Sequence, residues 1–276
     1  MGAITWILGL AGIVILVMYV LAPIIVGFQV RMAARPDVRR VDPAEIDPES
    51  VTFFESMRPT LTALGFEPVG TFFIEEFARN QLWLLDAYSH PRNRDAASAN
   101  FVIQKVAAGG RPLKATTVAF TTDFEGGRMF GTSNSPDPSP FTRDSSLVCE
   151  RVIPAECDLG RVYRVHGIAA EDFGRGYAKR LPRPGDEINA IRETLQKQME
   201  ARVETGYFTR DTLTESYRPT LSGAFLMTWA LLWPWKPIRI ASARRWARSI
   251  LASAPPESLE ARSRRVEEPA AASRDR

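Results

Sequence analysis

Between Ala3 and Val30 the chain carries no charged side chain, and Ile7–Phe28 is nearly all Ile, Leu, Val, Ala and Gly. A helix needs about 20 apolar residues to cross roughly 30 Å of hydrocarbon, and this run exceeds that. A core helix would keep a polar stripe toward water, and none is visible. A cleaved signal peptide would show a basic n-region and an apolar stretch of about 7–15 residues. No basic side chain precedes the run, and its only small-residue site, Val20-Leu21-Ala22, is followed by Pro23 and more apolar chain. Residues 1–30 are therefore expected to form an uncleaved transmembrane anchor. Myristoylation is set aside, because Trp6 stands where that motif wants Ser or Thr.

Residues 31–46 read as a charged juxtamembrane linker. The pattern then becomes that of a globular domain over residues 47–216. Asp47-Pro48-Glu49 supplies an N-cap, a first-turn proline and an acidic first turn. Val51, Phe54, Met57, Leu61 and Leu64 follow at helical spacing, and Gly65 can end the helix. Five β-rich runs come next: 69–77, 81–89, 99–107, 115–123 and 128–133. Turn residues separate them, including His90-Pro91-Arg92-Asn93, Gly109-Gly110-Arg111-Pro112 and Glu125-Gly126-Gly127. Connections this short suit antiparallel neighbours. Residues 133–144 read as a loop and 146–153 as a sixth strand. A short helix capped by Asp158, a basic loop over 174–185 and a helix capped by Asp186 complete the domain. Ile188, Ile191, Leu195 and Met199 mark one face of that last helix, with Tyr207 and Phe208 packing it down. The order predicts an α+β fold: a curved antiparallel β-meander of five to six strands with helices against one face.

A second apolar stretch, Leu221–Trp235, is short for a span and crowds Trp229, Trp233 and Trp235 at one end. Lys236, Arg239, Arg244, Arg245 and Arg248 follow it. Indole rings favour the headgroup level, and basic residues beside an apolar segment are drawn to anionic lipid. Residues 217–252 can thus be interfacial or re-entrant, a second span, or a buried part of the domain. These eight residues are the candidate contacts with the membrane interface. The tail, 253–276, is rich in Ala, Ser, Pro, Glu and Arg and is expected to be disordered.

Charge sharpens the picture. The net charge of +3 and basic pI suggest nucleic acid until they are divided along the chain. Residues 1–40 carry four basic and one acidic side chain, 41–216 carry 20 and 26, and 217–276 carry 11 and five. The domain is acidic between two basic ends, whereas a nucleic-acid domain should carry a basic face. Nucleic acid is not an expected partner. Anionic headgroups of the bilayer are, together with another membrane or cytoplasmic protein. Arg31, Arg35, Arg39 and Arg40 directly after the anchor favour a cytoplasmic domain by the positive-inside rule.

Candidate chemistry is sparse. Gly109-Gly110 and Gly126-Gly127 lie between strands and lack the spacing of a phosphate loop. Gly174-Arg175-Gly176, with Lys179, Arg180 and Arg183, reads as a solvated basic loop. His90 and His166 form no HxxxH or HxH pair, and Cys149 and Cys157 are not a CxxC, so no metal or cofactor is expected. The two cysteines are expected to be reduced thiols in a cytoplasmic domain. There is no GxSxG, and Ser133, Ser135 and Ser139 sit in a Pro-rich loop. His90 with Asp86 and Asp95 is the nearest approach to an acid–base cluster. His166, beside Val165 and Ile168, reads as a packed histidine. The expectation is a membrane-anchored, non-catalytic partner- or ligand-binding domain at the cytoplasmic face. The alternatives are a membrane-bound hydrolase or lipid-modifying enzyme using His90, or a lipid-binding domain whose pocket uses Phe72, Trp83, Phe101 and Phe120.

Overall fold

The computed structural model describes residues 2–75, 77–105, 111–154 and 156–253. The expected disorder of the tail, but for Ser253, and the expected turn at Gly109-Gly110 lie outside the described residues. The chain opens with α1 (Gly2–Leu16), a π-helical turn at Val17–Leu21 and α2 (Ala22–Gln29), continuous as one apolar helix. Two short strands follow, β1 (Met32–Ala33) and β2 (Asp37–Arg40), in the segment read as a linker. Helix α3 (Pro48–Ala63) begins where the sequence places it, with the Asp47 carboxylate accepting from the Glu49 N–H at 3.3 Å.

The meander forms as β3 (Glu67–Glu75), β4 (Gln81–His90), β5 (Asp95–Gln104), β6 (Leu113–Phe124) and β7 (Met129–Ser133), each antiparallel to the next. Strand β5 starts four residues before its predicted start. Ala96, Ala97 and Ser98 have weak strand propensity, but pairing with both β4 and β6 decides their conformation. The sixth predicted strand is β8 (Val148–Val152), and it runs parallel to β7. A parallel neighbour needs a crossover of a dozen or more residues, and the loop 134–147 supplies it. With β2 beside β3 and the short β9 (Lys179–Arg180) beside β6, the sheet has eight strands, more than the expected five to six.

Helix α4 (Leu159–Phe173) and helix α5 (Glu187–Glu204) follow β8 and β9 respectively. The hairpin β10 (Phe208–Asp211) and β11 (Ser216–Pro219) then pairs with β1 as a separate three-stranded sheet. Helices α6 (Leu221–Leu231) and α7 (Trp235–Ser253) complete the described chain.

Strand alternation divides the core in two. Leu84 and Tyr88 of β4, Ala97, Ala99 and Phe101 of β5, and Val118 and Phe120 of β6 point to one face. There they meet Phe54 and Leu61 of α3, Leu159, Val162 and Val165 of α4, and Ala247 of α7. Phe72 and Ile74 of β3 and Leu85 of β4 point the other way, onto Leu195 and Met199 of α5, Tyr207, Phe208, Tyr217 and Met227. The expectation of helices against one face is therefore corrected: both faces are covered. The predicted stripe of α5 is the one that packs, but its spacing says nothing about which side of the sheet it will meet.

Candidate functional site

Of the eight residues singled out for a membrane interface, Trp229 and Trp233 stand beside the apolar helix, where it reaches the domain. Thr5–Gln29 is 25 residues long with a mean hydropathy of 2.7, long and apolar enough to cross a membrane. Ile7, Leu10 and Ile13 of α1 are all at least 60% exposed. From the π-helical turn onward the helix acquires a partner. Helix α6 runs antiparallel beside it, starting near Gly27, where an added Cβ would stand 3.5 Å from the Ala224 methyl. The Trp229 indole N–H donates to the Tyr19 carbonyl at 2.9 Å, and the Tyr19 hydroxyl donates to the Trp233 carbonyl. A helix of 11 residues is about 16 Å long, roughly half the hydrocarbon thickness.

The base of α6 is fixed by side-chain chemistry and close packing. The Thr220 hydroxyl caps it, accepting from the Gly223 N–H at 2.9 Å, while the Thr220 N–H donates to the Tyr207 carbonyl at 2.9 Å. Gly223 lies so close to the Tyr207 backbone that any Cβ would overlap its carbonyl oxygen. The helix is thus seated on the three-stranded sheet, with Gly223, Ala224, Met227 and Ala230 buried.

Beyond Pro234 the chain turns back. Trp246, Ala247, Ile250 and Leu251 of α7 pack onto the core shared with α3 and α4. Their three- and four-residue spacing was the sequence signal for a packed helix, and the basic residues around them hid it. Trp229, Trp233 and Trp235 remain 38%, 76% and 52% exposed near the level of Tyr19. The five basic residues do not act alike. Lys236 pairs with Asp137 at 2.6 Å. Arg239 turns inward and donates to the Phe141 carbonyl at 3.2 Å, and burial lowers its pKa from the ordinary guanidinium value. Arg244, Arg245 and Arg248 are exposed, and Arg244 and Arg248 line a cleft with Arg161 of α4.

The His90 region holds a polar network built around two buried side chains, Asp95 and His166. Asp95, 2% exposed, accepts from the Thr122 hydroxyl at 2.7 Å, the Lys179 ammonium at 2.8 Å and the Tyr163 hydroxyl at 2.9 Å. His166, wholly buried, bridges Thr122 at 2.9 Å and Thr132 at 3.2 Å. Thr122 gives its proton to Asp95, so the His166 Nε2–H donates to its oxygen and Nδ1 accepts from Thr132. Burial pushes the His166 pKa down to about 4, leaving the ring neutral at pH 7. Burial raises the Asp95 carboxyl, but His166, Lys179 and Thr122 outweigh that and hold it below the ordinary value.

His90 pairs across the hairpin with Asp95 in register and meets the Asn93 amide, which also donates to Tyr163 at 2.8 Å. It packs on Gly65, whose φ of +87° and absent Cβ make room for the ring. Asp86 belongs to a separate group with Thr71, Tyr88 and, at 4.0 Å, Arg58. The structure therefore joins His90 to Asp95 but not to Asp86.

The remaining candidates are dispersed. Phe72 and Trp83 serve one core and Phe101 and Phe120 the other, so the four aromatics line no common pocket. Cys149 is buried, with its thiol pushed up to about 11 by that burial; Cys157 is exposed, and no disulfide joins them. No group of His, Cys, Asp and Glu suited to a metal occurs among the described residues. No family model, curated protein or solved structure matches the chain.

Proposed function

We propose that this chain is a membrane-anchored, non-catalytic binding domain held against the cytoplasmic leaflet, where it meets another membrane or cytoplasmic protein. One observation carries the reading: α6 rises beside the apolar helix only to Tyr19, and α7 then packs back onto the domain. The basic residues after the anchor and those of α7 consequently belong on one side of the bilayer, and the positive-inside rule makes that side the cytoplasm. Tyr19, Trp229, Trp233 and Trp235 form the near aromatic belt, so α6 is a wedge in the interface. Lys236 and Arg239, being held by the domain, fix the angle of that wedge, while Arg244, Arg245 and Arg248 are available to phosphate groups.

The exposed thiol of Cys157 tests the orientation without any substitution, because buried Cys149 is screened from reagent. A membrane-impermeant maleimide applied to intact cells should leave the chain unlabelled, and permeabilisation should expose Cys157 to it. Labelling before permeabilisation would put the domain outside and end the cytoplasmic reading.

A further inference from the structure

Sequence places Arg161 and the pair Arg244 and Arg248 more than 80 residues apart. The fold brings them to one cleft of about 430 Å³ between the start of α4 and the middle of α7. It is lined by apolar Ile153, Pro154 and Ala247 and by Arg161, Arg244, Arg248 and Glu156. That volume falls within the usual range for small-ligand sites, about 300–1,000 Å³.

The charges of that lining are unevenly answered. Glu156 pairs with Arg161 at 3.3 Å. Arg244 reaches only the Pro154 carbonyl, at a long 3.5 Å, and Arg248 has no hydrogen bond or ion pair among the described residues. Two arginines four residues apart on α7 repel each other, and α4 contributes a third to the same lining. An anion in the cleft would relieve that repulsion and use the planar forks of all three side chains. Carboxylate ligands would be met adequately by one or two of them. Three arginines lining one cleft suit the three terminal oxygens of a phosphomonoester.

We propose that this cleft is a binding site for a phosphomonoester, with Arg161, Arg244 and Arg248 as its ligands. The group can come from a lipid headgroup of the adjoining bilayer or from a free phosphorylated metabolite. The proposal stands on the cleft alone, so the outcome of Cys157 labelling leaves it untouched.

The full chain in uncharged detergent would be titrated with two probes, glycerol 3-phosphate and dihexanoyl phosphatidic acid, by calorimetry. Binding of both points to the phosphate as the recognised unit, and binding of the phosphatidic acid alone to a lipid source; either supports the site. Arg244→Ala and Arg248→Ala should each weaken binding about tenfold, the loss expected for a charge-assisted contact. Arg210→Ala, an exposed arginine on β10, should change it less than about twofold. These side chains are exposed, and an unchanged circular dichroism spectrum would confirm folding in each variant. Failure of the wild-type chain to bind either probe would overturn the site. So would equal losses for Arg210→Ala, which would mean diffuse attraction to net charge, or no loss for Arg244→Ala and Arg248→Ala.

Discussion

Both faces of the large sheet bury an apolar core, but they differ in what is buried beside it. Toward α4 the interior contains Asp86, Asp95, Thr122, Thr132 and His166, each hydrogen-bonded to a neighbour. Toward α2, α5 and α6 it is a dry assembly of Phe72, Ile74, Leu195, Met199, Phe208 and Met227. The wet-chemistry side depends on partners being present in the right protonation state, because a buried polar group left unpaired is costly. The side that receives the apolar helix depends on shape, on glycine and alanine letting backbones approach. A surface that receives an apolar helix gains from being indifferent to pH. The polar face can be sensitive because it lies away from that junction.

The sharpest way to break this contrast is Asp95→Ala. It removes the shared acceptor of Thr122, Lys179 and Tyr163 and leaves a partly buried ammonium unanswered. A loss of about 3–5 kcal/mol is expected from denaturant unfolding in detergent. A loss under about 1 kcal/mol would show that the network is not what holds α4 to the sheet.

Acid should find the same face next. His166 takes a proton near its ordinary 6.5 when unfolded but only near 4 when folded, so the unfolded chain binds more protons between those values. Its stabilising contribution is complete above pH 6.5 and falls away down to pH 4, by on the order of 3 kcal/mol. Asp95 acts in the same direction at lower pH, since a carboxyl held below its ordinary value loses its contribution as it is protonated. Thermal unfolding of His166→Leu should therefore be flatter between pH 6.5 and 4 than that of the wild-type chain. Parallel curves would remove His166 as the acid-sensitive group.

The apolar face should yield to volume instead. Gly223→Val forces a side chain into the Tyr207 backbone and should cost about 1–3 kcal/mol, with little dependence on pH. Quenching of tryptophan fluorescence by brominated lipid should fall with it, as α6 leaves its seat beside Tyr19. Unchanged quenching would mean that α6 keeps its depth without the sheet beneath it.

Much of the meander was legible because its signals are local. Turn residues such as Pro91 and Asn93, and the apolar and aromatic residues of 81–89, need no knowledge of distant chain. Asp47 and Asp158 capped their helices as expected. The junction at Tyr19 was not legible: nothing near Ala224 and Trp229 in sequence points to residues 27 and 19 as their neighbours. His90 was grouped with both Asp86 and Asp95, which flank it in sequence. The hairpin register kept Asp95 opposite it and left Asp86 to another group. The cleft at Arg161 had no local signal at all, since its walls are an α4 start and an α7 middle.

The sequence by itself determined what is set by composition and short-range pattern: one apolar helix long enough to cross a membrane, an acidic α+β domain and basic flanks. Hydropathy, capping and turn chemistry act over a few residues, so they can be read there. Only the tertiary structure decided that helices cover both faces of the sheet, that α6 leans on the apolar helix, and that α7 returns to the core. It also decided which buried charges meet. Those outcomes depend on which distant surfaces fit one another, and shape complementarity across a fold leaves no periodic trace along the chain.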